Sequence, residues 1–160
     1  MRSTRALLGL GLTLVMAVGS GQDAYAQSMP AARRDSILAV VRAYVDASNR
    51  VDVQAMIDAY SKSPAVSSAA LGDIRRGWEA MRAQSDSAAG QEGLMRISLG
   101  AIDVTALGSS NALVVSSLSI RIETQEGPVQ VRGALTLVLE RAAGSWKVLH
   151  EHLSLPLPQG

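Results

Sequence analysis

Two periodicities divide the chain. Ile37, Val40, Val41, Tyr44 and Val45 recur at helical spacing and form one apolar stripe, while Arg42, Asp46 and Asn49 fall off it. At about 1.5–3 kcal/mol per fully buried large apolar side chain, such a stripe docks a helix against a partner. Asp52 suits the N-cap of a second short helix carrying Met56, Ile57 and Tyr60, which Ser63-Pro64 ends. Residues 65–70 suit a short strand. Gly77–Ser87 predicts a third helix, with Trp78, Met81 and Ile74 on its apolar side.

From residue 112 onward the period changes to two. One face collects Ala112, Val114, Ser116, Leu118, Ile120 and Ile122, then Val129, Val131, Gly133, Leu135, Leu137 and Leu139. Continuing the same alternation through the last run adds Trp146, Val148, His150, His152 and Ser154. Arg121, Glu123, Gln130, Arg132, Thr136, Glu140, Lys147 and Glu151 fall on the opposite face. The turn-forming segments 107–111, 125–128 and 142–145 are short, so these strands are consecutive and antiparallel. Leu94–Val104 pairs at the front of this meander, with its in/out register open. Helices followed by a meander with one apolar face predict an α+β fold: a curved antiparallel sheet with the N-terminal helices packed on its concave face. The hollow between them is where a ligand pocket forms.

The first residues bear on compartment. Arg2 and Arg5 precede an apolar run over Ala6–Val18, and Ala24-Tyr25-Ala26 supplies a small-x-small cleavage pattern. This predicts a secretory signal peptide over residues 1–26, hence a periplasmic or secreted protein. The apolar run is shorter than the roughly 20 residues that cross a bilayer, which disfavours a retained anchor. A flexible lead-in (27–34), one domain (35–156) and a short tail (157–160) follow. Removing Arg2, Arg5 and Asp23 takes the 15 basic and 14 acidic residues to 13 and 13, a net charge of zero. Neutrality argues against nucleic acid, which needs a basic footprint, and against an acidic membrane surface once the signal is cleaved. With no cysteine there are no disulfides, and with no Phe the core must be aliphatic.

Candidate chemistry is sparse. No phosphate loop, dinucleotide fingerprint or nucleophile elbow is present. His150 and His152, the two histidines, share the predicted inner face with Trp146 and Ser154. A neutral imidazole there serves as a general base or a hydrogen-bonding group; the alternative is a pair of buried structural histidines. His-x-His with Asp103 or Asp46 makes a partial metal-ligand set, but without a third histidine or a cysteine no resident metal or cofactor is expected. Tyr44 and Tyr60 lie on helical apolar faces, as core residues with their hydroxyls at the rim. Trp78 and Trp146 fill the interior or stack on a ligand. Ser116 and Gly133 leave space among aliphatics, or make room for a bulky neighbour.

Three segments carry a family resemblance. Residues 37–49 (ILAVVRAYVDASN) resemble the opening helix of SnoaL-like proteins, Gly77-Trp78-Glu79-Ala80-Met81 their glycine-led helix, and residues 146–154 (WKVLHEHLS) their closing strand. The chain is similar to the SnoaL-like branch of the nuclear-transport-factor-2-like superfamily, which includes ketosteroid isomerase, polyketide cyclases and dehydratases. The resemblance implies a cone-shaped domain with an internal pocket, often dimeric through the outer sheet face. It does not fix an activity. The ketosteroid isomerase set of a Tyr, a protonated acid and an Asp base is not matched onto positions here. The expectation is therefore an exported cone that binds a small apolar ligand through Tyr44, Tyr60, Trp78, Ser116, Trp146, His150, His152 and Ser154. Leu113, Val115, Leu149 and Leu153 would form an apolar outer face for a homodimer. The alternatives are an isomerase-, cyclase- or dehydratase-like enzyme using a pocket histidine as base, and a structural module without ligand.

Overall fold

A computed structural model describes residues 29–86 and 94–156. The predicted signal peptide and the tail 157–160 lie outside the described residues. The elements are α1 (Ala31–Arg50), α2 (Val53–Ala59), β1 (Ser67–Ala70), β2 (Asp73–Arg76), α3 (Trp78–Asp86), β3 (Met95–Leu107), β4 (Asn111–Thr124), β5 (Gly127–Ala142) and β6 (Ser145–Ser154). The six strands form one curved sheet in the order β2-β1-β6-β5-β4-β3. Three long hairpin-connected strands and β6 make the antiparallel meander that alternation predicts.

The helices pack on the concave face. Ile37, Val41, Tyr44 and Val45 of α1 meet Val66, Met81, Val114, Leu118, Ile120, Leu135, Leu137, Leu139 and Val148 in one buried cluster. Most of the residues that alternation assigns to one face of β4 and β5 enter this core, while Val129 at the start of β5 is 48% exposed. Asp52 caps α2 as expected, its Oδ1 accepting from the Ala55 amide at 3.1 Å. β3 pairs with β4 along its length, with an irregularity between Leu99 and Ile102. Its register places Ile97, Leu99, Ile102 and Val104 against the core. Asn49 ties α1 to this strand by donating to the Ile97 carbonyl (2.9 Å) and accepting from the Ile97 amide (2.6 Å).

Several expectations need correction. Helix α1 begins at Ala31, so four residues of the expected flexible lead-in are helical. Pro30 sits at its N-cap, and Arg33 in the first turn reaches the Gly108 and Asn111 carbonyls (2.9 and 3.0 Å) and covers the Trp146 ring at 5.2 Å. Those contacts tie down a segment whose sequence shows no apolar stripe. Asp73–Arg76 is a strand, not a helical approach, and Ile74 is 58% exposed. The positive φ of Leu71 (53°) and Gly72 (88°) makes the tight turn that folds β2 back on β1. β1 then pairs in parallel with β6, Ser67 opposite His150 and Ser68 opposite Glu151.

The largest correction concerns β6. Leu139 faces Val148, but Val138 faces His150, so Leu149 is one extra residue at a bulge. An extra residue reverses the face of every side chain that follows it. Trp146 and Val148 therefore point inward as predicted, whereas Glu151 (opposite Leu137) and Leu153 (opposite Leu135) take the concave face. His150, His152 and Ser154, opposite Val138, Thr136 and Ala134, lie on the convex face. The expected inward histidine pair and the expected outward Leu153 are both overturned by this single insertion.

Candidate functional site

Three elements bring a polar cluster into the aliphatic core. Tyr44 comes from the apolar stripe of α1 and is 9% exposed. Tyr60 ends α2 in extended backbone (φ −82°, ψ 153°) and bridges to Val148, which lays its side chain beside β6. The neighbouring Ser61 amide donates to the Val148 carbonyl at 2.8 Å and fixes that docking. Glu151 follows the bulge on β6 and points at both phenols. The Tyr44 hydroxyl lies 2.8 Å from that of Tyr60 and 3.0 and 3.1 Å from the two Glu151 carboxyl oxygens. Tyr60 donates a short hydrogen bond to Glu151 Oε2. The two rings meet edge to face, 5.5 Å between centroids and 79° between planes, a favoured aromatic geometry.

Counting protons defines the state of this triangle. It has three edges, and two phenols supply two O–H groups. With an ionised carboxyl, one edge lacks a proton. With a neutral carboxyl, Glu151 donates to Tyr44, Tyr44 to Tyr60 and Tyr60 to Glu151, and every edge is filled. Burial acts in the same direction and raises the Glu151 pKa, while hydrogen bonds from Tyr60 and Tyr44 and the charge of His150 pull it back. Both phenols are raised well above their ordinary range, by burial first; next in order come the Glu151 charge for Tyr44 and the Tyr44 charge for Tyr60. Burial thus favours the neutral form of all three groups. A ligand that approached the cluster would exchange partners with these hydroxyls and the carboxyl.

The other predicted residues are dispersed. Ser116 is inward and buried, its hydroxyl donating to the Ser117 carbonyl at 2.8 Å. Trp146 is inward and 6% exposed, with Arg33 on its face. Trp78 opens α3 and packs against the core, with Lys62 above its ring at 5.6 Å. His150 on the convex face pairs with Ser67, Nδ1 to Oγ at 2.9 Å. Exposed His152 and Ser154 border a hollow of about 590 Å³ against the β1–β2 hairpin and Pro156. Among the described residues no group of three or more His, Asp or Glu side chains is placed to hold a metal ion. Gly133 makes room for a neighbour: a Cβ there would collide with the Ser154 carbonyl and the Leu155 side chain.

Glu151 is the residue that alternation misassigns. Its flanks, Leu149 and Leu153, are aliphatic, which is unusual for a solvated strand face and is the one local sign that the parity changes. Tyr44 also borders an open groove of about 540 Å³ between α1, α2 and the β5–β6 turn, with Trp146 in its wall. Its wall mixes apolar residues (Val40, Ala43, Ala55, Ala59) with charged ones (Asp46, Arg50, Asp58, Lys147), and Tyr44 is the member of the cluster that borders it.

The SnoaL-like domain family model matches residues 37–158. No curated protein matches the sequence. Among solved structures, an NTF-2-like protein of unknown function from Shewanella oneidensis MR-1 is 22% identical, with 76% of this chain and 98% of that one covered at a TM-score of 0.62. The association domain of Caenorhabditis elegans CaMKII is 18% identical (77% and 95% covered, TM-score 0.65). A nuclear transport factor 2-like superfamily protein from Salmonella enterica is 16% identical (79% and 93% covered, TM-score 0.65). These likenesses establish the nuclear-transport-factor-2-like fold.

Proposed function

The chain belongs to the SnoaL-like domain family, and from that premise we propose that it binds a small apolar molecule at the concave face of its sheet. The Tyr44–Tyr60–Glu151 cluster is the polar end of that site. One observation carries the reading: a half-buried carboxyl and two buried phenols, hydrogen-bonded to one another, set in a largely aliphatic interior. An isolated polar group there would cost free energy, so the three are held as a unit. A ligand with one carbonyl or hydroxyl group exchanges hydrogen bonds with that unit at Tyr44 while its apolar body lies in the groove beside it, against Val40, Ala43, Ala59 and Trp146. The pocket histidine base of the alternative enzymatic reading has no support from the convex placement of both rings.

The protein is read as exported, on the leader over residues 1–26. It is also read as a homodimer through the convex face, where Leu113 and Val115 of β4 lie beside Thr136 and Val138 of β5, with Asp103 of β3 opposite Val115 at the edge of this apolar patch. One structural relative is an association domain, which fits such a use of the fold.

Native mass spectrometry of the chain purified from its host tests the ligand. A retained small molecule is expected in the wild type and absent from Glu151→Leu and Tyr44→Phe. Equal retention in all three, or none in any at ligand concentrations that saturate homologous pockets, sinks the reading.

A further inference from the structure

The convex face carries a second site at its far end, where β3, β4 and β5 extend beyond β6. Arg96 of β3 lies directly opposite Arg121 of β4. Gln130 of β5 lies opposite Arg121 on its other side, and Arg132 lies opposite Ser119. Strand parity puts these side chains and Ser98 on one face, opposite the core residues Ile97, Leu118 and Ile120. Arg96, Ser98, Ser119, Arg121 and Gln130 enclose a hollow of about 250 Å³, with Pro128 and Val129 at its apolar side.

Like charges directly opposite one another on neighbouring strands repel. Glu123 answers one of the three guanidiniums, pairing with Arg121 Nε at 2.7 Å. Among the described residues Arg96 and Arg132 have no ion-pair partner. The whole chain carries a net charge of only +1, so this concentration is local. Gln130 donates to the Ser119 hydroxyl at 2.7 Å, which leaves the Ser119 proton free to point into the hollow. Two guanidinium forks and two hydroxyls converge from different directions, and that donor set fits an acceptor with several oxygens at tetrahedral angles.

We propose that Arg96, Arg121, Ser98 and Ser119 bind a tetrahedral oxyanion, as inorganic phosphate or as the phosphate of a small phosphomonoester. Arg132 adds its charge from the next strand. The site faces away from the Tyr44–Tyr60–Glu151 cluster and stands whether or not that cluster binds a ligand.

The test is an amide chemical-shift titration of the full mature chain with inorganic phosphate and, separately, with phenyl phosphate, each against chloride at matched ionic strength. Saturable shifts confined to residues around 96–98, 119–121 and 130 are expected with phosphate and not with chloride. Tighter binding of phenyl phosphate identifies the monoester, whose ring reaches Val129; equal binding identifies the free anion. Arg96→Gln, an exposed change whose fold is checked by its melting curve, weakens binding by about tenfold, the equivalent of one lost charge-assisted hydrogen bond. Glu123→Gln frees Arg121 and tightens it. Shifts that follow ionic strength alone, or an Arg96→Gln variant that binds as the wild type does, overturn the proposal.

Discussion

Tyr44 and Glu151, 107 positions apart in the sequence, meet hydroxyl to carboxyl at 3.0 Å in the interior of the fold. Their meeting depends on one inserted residue in the last strand. Without the bulge at Leu149, the helix would present its phenol to an imidazole.

Acid-to-neutral stability reports on Glu151. Its pKa is raised in the fold by burial, so the folded state holds a proton that the unfolded chain releases near its ordinary value of about 4.3. Folding therefore gains from Glu151 fully below that value, and the gain is lost as pH rises through the folded pKa. Glu151→Gln cannot ionise. The stability of the wild type relative to Glu151→Gln should fall as pH rises from the unfolded value through the raised folded pKa. Urea unfolding at a series of pH values measures it; a difference that rises with pH contradicts the neutral carboxyl.

The two phenols should act as one unit. Tyr44→Phe and Tyr60→Phe each remove two of the three edges of the hydrogen-bonded triangle and are expected to cost about 1–3 kcal/mol, the range for leaving a buried partner unsatisfied. The double variant should cost less than the sum, with a coupling of about 0.5–3 kcal/mol. Additive losses in equilibrium unfolding would show that the hydroxyls do not share a network.

Gly133→Ala should destabilise by about 1–3 kcal/mol, the usual penalty for overpacking. The added methyl meets a backbone carbonyl, that of Ser154, and backbone cannot swing aside as a flexible side chain does. A melting temperature equal to that of the wild type would mean that the end of β6 is not held over β5.

Much of this architecture is written in the alternation of β4 and β5. Val114, Leu118, Leu135, Leu137 and Leu139 all enter the core that their period assigns, because neither strand bulges where they pair with each other. The stripe of α1 is equally plain, since Ile37, Val41, Tyr44 and Val45 need only the helical repeat. What the sequence hides is parity after an insertion. Leu149 is an ordinary strand residue, and apart from the aliphatic flanks of Glu151 nothing marks a bulge, so the period carries the histidines to the wrong face. β2 is hidden for another reason: Asp73-Ile74-Arg75-Arg76 has no buried face to produce a pattern. The start of α1 depends on Arg33 reaching carbonyls 75 and 78 positions away, which no local rule anticipates.

The convex face gives a prediction about assembly. Val115 is 40% exposed, with Thr136 of β5 on one side and Asp103 of β3 on the other. Light scattering at micromolar concentration should show a dimer for the wild type and a monomer for Val115→Glu, because a carboxylate buried at a symmetric interface meets its own copy. A monomeric wild type contradicts the interface.

The inward turn of Glu151 and the outward turn of the histidines can be read in one sample. In a carbon-13-labelled chain, a soluble paramagnetic agent should broaden the His152 ring signals and spare the Glu151 side-chain carboxyl, which should also titrate above the ordinary carboxylate range. A broadened Glu151 carboxyl titrating normally, beside a protected His152 ring, would contradict the placement on which the proposed ligand site rests.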